Sequence, residues 1–121
     1  MEWLFTGDRP IFQQIYELLA KRIVVGEYPP GSRMPSVREL AAEAGVNPNT
    51  MQRALTQLDE AGLTESNRTS GRTVTTAQDR IDLARNGFAA QAAKTYLDAV
   101  SSLGLSREEA VSLLNKEEEK Q

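Results

Sequence analysis

The chain has 121 residues, 40% of them apolar, a net charge of −3 and neither cysteine nor histidine. That length suits one globular domain, or a small domain with an appendage, and the apolar share builds a core but not a large ligand-binding module besides. Without Cys or His there is no disulfide framework, no ready transition-metal site and none of the usual nucleophile–base pairs, which argues against an enzyme and for a reducing, cytoplasmic setting. The opening MEWLFTGDRP lacks the basic region of a signal peptide, and no apolar run approaches the ~20 residues that cross a bilayer, so no membrane partner is expected.

Pro10 to about Val25 is read as a first helix, with Ile11, Ile15, Leu18, Leu19 and Ile23 as its apolar stripe and Gly26 as its stop. Tyr28-Pro29-Pro30-Gly31 is a turn. Ser36 begins a capping box with Glu39 and opens a second helix, which Gly45 ends. Asn47 and Pro48 open a third helix to about Ala61, with Val46, Met51, Ala54, Leu55 and Leu58 facing inward and Gly62 at its end. Two short capped helices joined by a glycine turn form a helix-turn-helix, the unit that lays its second helix in the DNA major groove. Leu63–Ser66 and Arg72–Thr75 are β-prone runs around Asn67–Gly71, a hairpin in the place of the wing of a winged helix.

From Thr76 the composition turns alanine-rich. Ile81, Ala84, Phe88, Ala92, Tyr96, Ala99 and Leu103 step by three or four, predicting one amphipathic helix of about 27 residues, ~40 Å long, that ends at Gly104. Ser106 and Glu109 form a second capping box, Ala110, Val111 and Leu114 the stripe of a last helix, and Glu117–Glu119 a fraying end. The expected organisation is a winged helix-turn-helix over 1–76 and a helical tail over 77–121. The tail's stripes need a cover, either the N-terminal domain or a second chain. The length of the helix favours pairing, which makes Ile81, Ala84, Phe88, Ala92, Tyr96, Leu103, Val111 and Leu114 the candidate residues of a homodimer interface.

Charge is distributed unevenly. Ala44–Leu58 and Ser66–Gln78 contain no acid and carry Arg53, Arg68 and Arg72, as a surface facing a polyanion would. Arg38 and Arg53 have no carboxylate three or four positions away, unlike Lys21 and Arg85, and so are candidates for phosphate or guanine contact. Asn47, Asn49, Thr50 and Gln52 surround the start of the third helix, where base edges and phosphates are met. For Asn47 a plain helix cap is an equal reading, and Thr50 also serves local structure, whereas nothing in a core or cap requires Gln52 or Arg53. In the hairpin, Gly71 permits close backbone approach and Arg68 and Arg72 supply charge, although an ordinary solvated hairpin would look the same. Arg33 and Ser70 complete the candidate DNA-contacting set, and no cofactor is expected.

The runs PIFQQI (Pro10–Ile15), PPGSRMPSVRELA (Pro29–Ala41) and GVNPNTMQRAL (Gly45–Leu55), followed by Gly62-Leu63 and a glycine-arginine wing, resemble the GntR family of bacterial regulators. With only a short helical tail, the chain looks most like the YtrA-type subfamily. The resemblance implies a mainly α winged helix that binds double-stranded operator DNA as a homodimer, the tail helices making the dimer. It also implies repression of nearby transport genes, often ABC exporters. Family contacts carry over to Arg38, to Asn49, Thr50 and Gln52, and to Gly71. The wing SNRTSGR departs from the commoner R-x-G-x-G-[TS]-[FY]-V ending, lacking its first glycine and its aromatic. Any small-molecule effector would sit between the tail helices or at the dimer interface. A winged helix used to bind proteins would instead present an apolar patch where this sequence has Asn49, Gln52 and Arg53.

Overall fold

The computed structural model describes residues 3–119, with side chains up to Lys116, and Glu117–Glu119, expected to fray, are the last residues of a helix. Five helices and one hairpin follow in the order α1 (Ile11–Val24), α2 (Val37–Ala44), α3 (Pro48–Glu60), β1 (Thr64–Asn67), β2 (Gly71–Val74), α4 (Gln78–Ser101) and α5 (Arg107–Glu119). The winged-helix expectation holds. None of the described helices is long and apolar enough to cross a membrane.

The caps read from the sequence set the boundaries. Ser36 Oγ accepts from the Glu39 N–H at 3.1 Å while Glu39 Oε1 accepts from the Ser36 N–H at 3.2 Å. Gly45 leaves α2 at φ 69°, a left-handed turn that costs glycine nothing. Asn47 Oδ1 then accepts from the Asn49 N–H at 2.7 Å, and Pro48 occupies the first turn of α3. Ile15, Leu19 and Ile23 of α1, Leu40 and Ala41 of α2, and Met51, Ala54, Leu55 and Leu58 of α3 are buried together with Leu63 and Val74 of the hairpin region.

The strands are shifted by one residue from expectation at each start, at Thr64 and Gly71. They pair antiparallel with Thr64 opposite Val74 and Asn67 opposite Gly71. Asn67 Oδ1 accepts from the N–H groups of Thr69 and Ser70 and so closes the turn. The other edge of β2 is held by the loop before α2. Gly31 N–H donates to Val74 O, Val74 N–H to Ser32 O, and Met34 N–H to Arg72 O, all at 2.8–2.9 Å.

Two buried polar side chains of α1 organise the chain ahead of it. Gln14 Nε2 donates to Thr6 O at 2.9 Å and Arg9 O at 2.8 Å, and its Oε1 accepts from the Thr6 N–H at 2.8 Å. The Arg22 guanidinium lies 4.5 Å from the Trp3 ring centre, donates to the Tyr28 hydroxyl at 2.9 Å, and is 3.6 Å and 3.8 Å from the Glu27 and Glu43 carboxylates.

The chain divides into two compact units after Arg85, within α4. The first turns of α4 go with the first unit, where Ile81 is 2% exposed and Arg85 Nη2 donates to Val24 O at 2.8 Å. Ile81, expected at a dimer interface, is therefore already covered by its own unit. In the second unit α4 and α5 form a helical hairpin: Tyr96 donates its hydroxyl proton to Ala110 O at 2.6 Å, and Ala110 and Val100 are buried. Ser106 and Glu109 make the expected capping box. Leu103 lies in the turn after α4 and not on its stripe, because the helix ends at Ser101.

Since the Gln14 side chain bonds both Thr6 and Arg9 of the N-terminal arm, Gln14→Ala should detach it and cost about 1–3 kcal/mol in urea unfolding. Trp3, the only tryptophan in the chain, should then shift its fluorescence to the red. Unchanged emission would mean that the arm is held by other contacts.

Candidate nucleic-acid interface

Burial of Met51, Ala54, Leu55 and Leu58 leaves the opposite side of α3 outside. Asn49, Gln52, Arg53 and Thr56 have i, i+3, i+4, i+7 spacing and share that face, and each is exposed, while Thr50 beside them is half-buried. No large apolar side chain is exposed on α3. The Asn47 side-chain oxygen is committed to its cap, which leaves its amide hydrogens facing outward. Gln52 Nε2 donates to Thr56 Oγ1 at 3.2 Å along the same face.

Arg53 differs from expectation. Its guanidinium lies 3.9 Å from the centre of the Phe12 ring of α1, a stacking worth about 0.5–1 kcal/mol at an exposed site. The residue thus has a structural partner after all. Helical spacing could not show it, because Phe12 stands in a different helix. The stacking holds the guanidinium without spending any of its N–H donors.

The wing also departs from expectation. Arg72 is not free: its Nε donates to Asp59 Oδ1 and its Nη2 to Asp59 Oδ2, both at 3.0 Å. The same carboxylate accepts from Thr64 Oγ1, and from Ser66 Oγ at 2.7 Å. Partial burial pushes the Asp59 carboxyl up, but bonds from Arg72, Thr64 and Ser66, with the charge of Arg72, outweigh it and hold the group below its ordinary value. The acid-free stretch around Arg72 in the sequence was therefore misleading for that arginine. Arg68 and Ser70 are exposed at the tip. Gly71 takes φ 73°, and a Cβ there would stand 3.3 Å from Arg33 Nε, so the Arg33 side chain runs along bare backbone. Between the start of α2 and the wing lies an open groove of about 600 Å³ lined by Arg33, Ser36, Glu39, Gly71 and Arg72 among others.

Ion pairing sorts the arginines of the first unit. Arg9, Arg22, Arg72 and Arg85 each hold a carboxylate. Among the described residues Arg33, Arg38, Arg53, Arg68 and Arg80 hold none. Arg80, on α4, donates to Gly62 O at 3.5 Å, and the other four lie on the loop before α2, on α2, on α3 and on the wing tip. Cations left without carboxylates are free to meet an external anion, and the planar guanidinium suits phosphate and guanine alike.

The sequence profile described as bacterial regulatory proteins, gntR family, matches residues 11–74. The chain is 31% identical over 109 residues to YhcF, an uncharacterized HTH-type transcriptional regulator of Bacillus subtilis, covering 90% of each. A GntR family transcriptional regulator from Listeria monocytogenes has the same architecture at TM-score 0.85 and 34% identity, over 93% of this chain and 98% of that one. The DNA-binding domain of AraR, solved in complex with operator ORX1, matches at TM-score 0.56 and 28% identity over 60% of this chain and 93% of that domain.

A carboxyl whose folded pKa lies below its unfolded value of about 3.9 adds stability that is complete above that pH and is lost as pH falls through the folded value. Asp59→Asn should therefore be less stable than the native protein at neutral pH, and the gap should begin to close below about pH 4. Urea midpoints taken from pH 7 downward test this; a gap that stays constant in acid would assign the loss to something other than the carboxylate charge.

Proposed function

This chain belongs to the GntR family of bacterial regulatory proteins and is a DNA-binding transcriptional regulator; on that premise we propose that it is a cytoplasmic, homodimeric repressor of the YtrA type that reads a palindromic operator. The observation that carries this reading is the set of carboxylate-free guanidiniums of Arg33, Arg38, Arg53 and Arg68 around the polar face of α3. The DNA-binding domain of AraR, which shares this fold, was solved with an operator, and this supports duplex DNA as the partner.

In this reading α3 enters the major groove. Asn49 and Gln52 meet base edges, Arg53 reaches guanine from its seat on Phe12, and Thr50 and the amide of Asn47 serve phosphate near the helix start. Arg38 on α2 neutralises a backbone phosphate. Arg33, Gly71, Ser70 and Arg68 approach the neighbouring groove or its phosphates, Gly71 because it brings no side chain.

A second copy would double the reader. Leu103, Val111 and Leu114 of the second unit are 78%, 47% and 52% exposed, apolar surface of the sort that association removes from water. We assign them to a homodimer interface, with Ala84, Phe88, Ala92 and Tyr96 on the same expected stripe. Half-sites would then lie about one helical turn apart, or a multiple of it.

Arg53→Ala should weaken binding to a duplex selected from random sequence by about 1–3 kcal/mol. Arg38→Ala should instead flatten the dependence of log K on log salt by ~0.9. Fluorescence anisotropy titrations at several salt concentrations separate the two, and native isotherms for both variants would remove α2 and α3 from the groove. A chain ending at Arg85, which keeps Ile81 and the bond to Val24, should sediment as a monomer and bind weakly. A dimer of that fragment would take the second unit out of the interface.

A further inference from the structure

Asp59 stands where two local preferences oppose it. It is the penultimate residue of α3, at the negative end of the helix dipole, where an acid is disfavoured. With Glu60 and Glu65 it also stands between two acid-free stretches, on elements assigned to face a polyanion, whose field repels carboxylates. A carboxylate retained against both effects needs a compensating task, and its contacts supply one.

Both Asp59 oxygens are fully engaged, and every partner lies in the wing. Oδ1 accepts from Thr64 Oγ1 and Arg72 Nε, and Oδ2 from Ser66 Oγ and Arg72 Nη2. Thr64 and Ser66 are alternate residues of β1, so they share one face of the strand. Ser66 pairs with Arg72 across the hairpin. One side chain of α3 therefore grips both strands, through a bidentate fork whose geometry tolerates little rotation. The hairpin has four residue pairs, and a two-stranded ribbon of that size does not hold its own posture in water. Its far edge is tied to Gly31–Met34, its base is anchored by buried Leu63 and Val74, and its side-chain hydrogen bonds to α3 among the described residues all run to Asp59.

We propose that Asp59 is a positioning residue for operator binding: with Arg72 it latches the wing to α3, so that the groove-reading helix and the wing tip meet DNA as one rigid piece. Arg72 acts through this latch and not as a phosphate contact. The inference rests on the reading of α3 and the wing as the DNA-binding elements.

The sign of one effect tests it. Asp59→Asn removes a negative charge near the duplex and frees a guanidinium. If Asp59 were only a neighbour of the interface, the full-length variant would bind a selected operator duplex as tightly as the native protein, or more tightly. The latch requires the opposite, a loss of roughly five- to tenfold at a temperature where circular dichroism shows both proteins folded. Arg68→Ala, at the wing tip, gives a second reading through a double-mutant cycle. Without the latch the tip is no longer aimed, so Arg68→Ala should cost much less in the Asp59→Asn background than in the native one. Equal or tighter binding by Asp59→Asn would overturn the proposal, as would losses that multiply independently. Should Asp59→Asn fail to fold, Arg72→Lys keeps the charge and loses the fork, and undiminished binding by it would overturn the proposal equally. A native protein that enriches no duplex from a random pool would overturn the DNA reading and the latch together, a failure distinct from a native protein that binds while its Asp59→Asn form binds as well.

Discussion

Burial of one side of α3 is the constraint from which the rest of the first unit follows. Met51, Ala54, Leu55 and Leu58 are each withdrawn completely from water, and full burial of a large aliphatic side chain stabilises by about 1.5–3 kcal/mol. With that face fixed against the core, helical geometry leaves no freedom in the placement of Asn49, Gln52 and Arg53: they must point outward together. A change in the helix's rotation would expose leucine and bury arginine at once. The polar outward face is therefore held in place by residues that never touch it.

A second layer of constraint is polar. Gln14, Arg22 and Asp59 each gather several partners from separate segments, respectively the N-terminal arm, the arm with the loop after α1 and the end of α2, and both strands of the wing. Polar networks of this kind specify geometry more than they add stability, since removing one member would leave its partners unpaired at a cost. In a chain of this size they do what a larger apolar core would do elsewhere: they fix the angles of peripheral pieces. The guanidiniums divide accordingly. Arg22 and Arg72 are spent internally, whereas Arg33, Arg38 and Arg68 are left for an external anion, and Arg53 is steadied on a ring without losing a donor.

Much of the architecture was legible beforehand because it is written locally. The capping box at Ser36 and Glu39, the left-handed Gly45, the Asn47-Pro48 start and the second box at Ser106 and Glu109 all act within four residues, and each is found where the spacing placed it. The apolar period of α1 and α3 likewise declares its buried side. The same local logic failed for charges and for the long helix. Arg53 and Arg72 have no carboxylate within a helical turn, yet one rests on Phe12 and the other grips Asp59, thirteen positions away. Ile81 fits the apolar stripe of α4 and is nevertheless covered within the first unit.

The sequence by itself determined which segments are helices, where they start and stop, which side of α3 is apolar, and the family to which the motifs point. Those properties depend on backbone sterics, capping and periodicity, which operate over a few residues. Only the tertiary structure decided which arginines remain available to an anion, what holds the wing, and where α4 passes from the first unit to the second. Each of these is a contact between side chains far apart in the chain, and neither spacing nor composition encodes which distant partner a guanidinium or a carboxylate will meet.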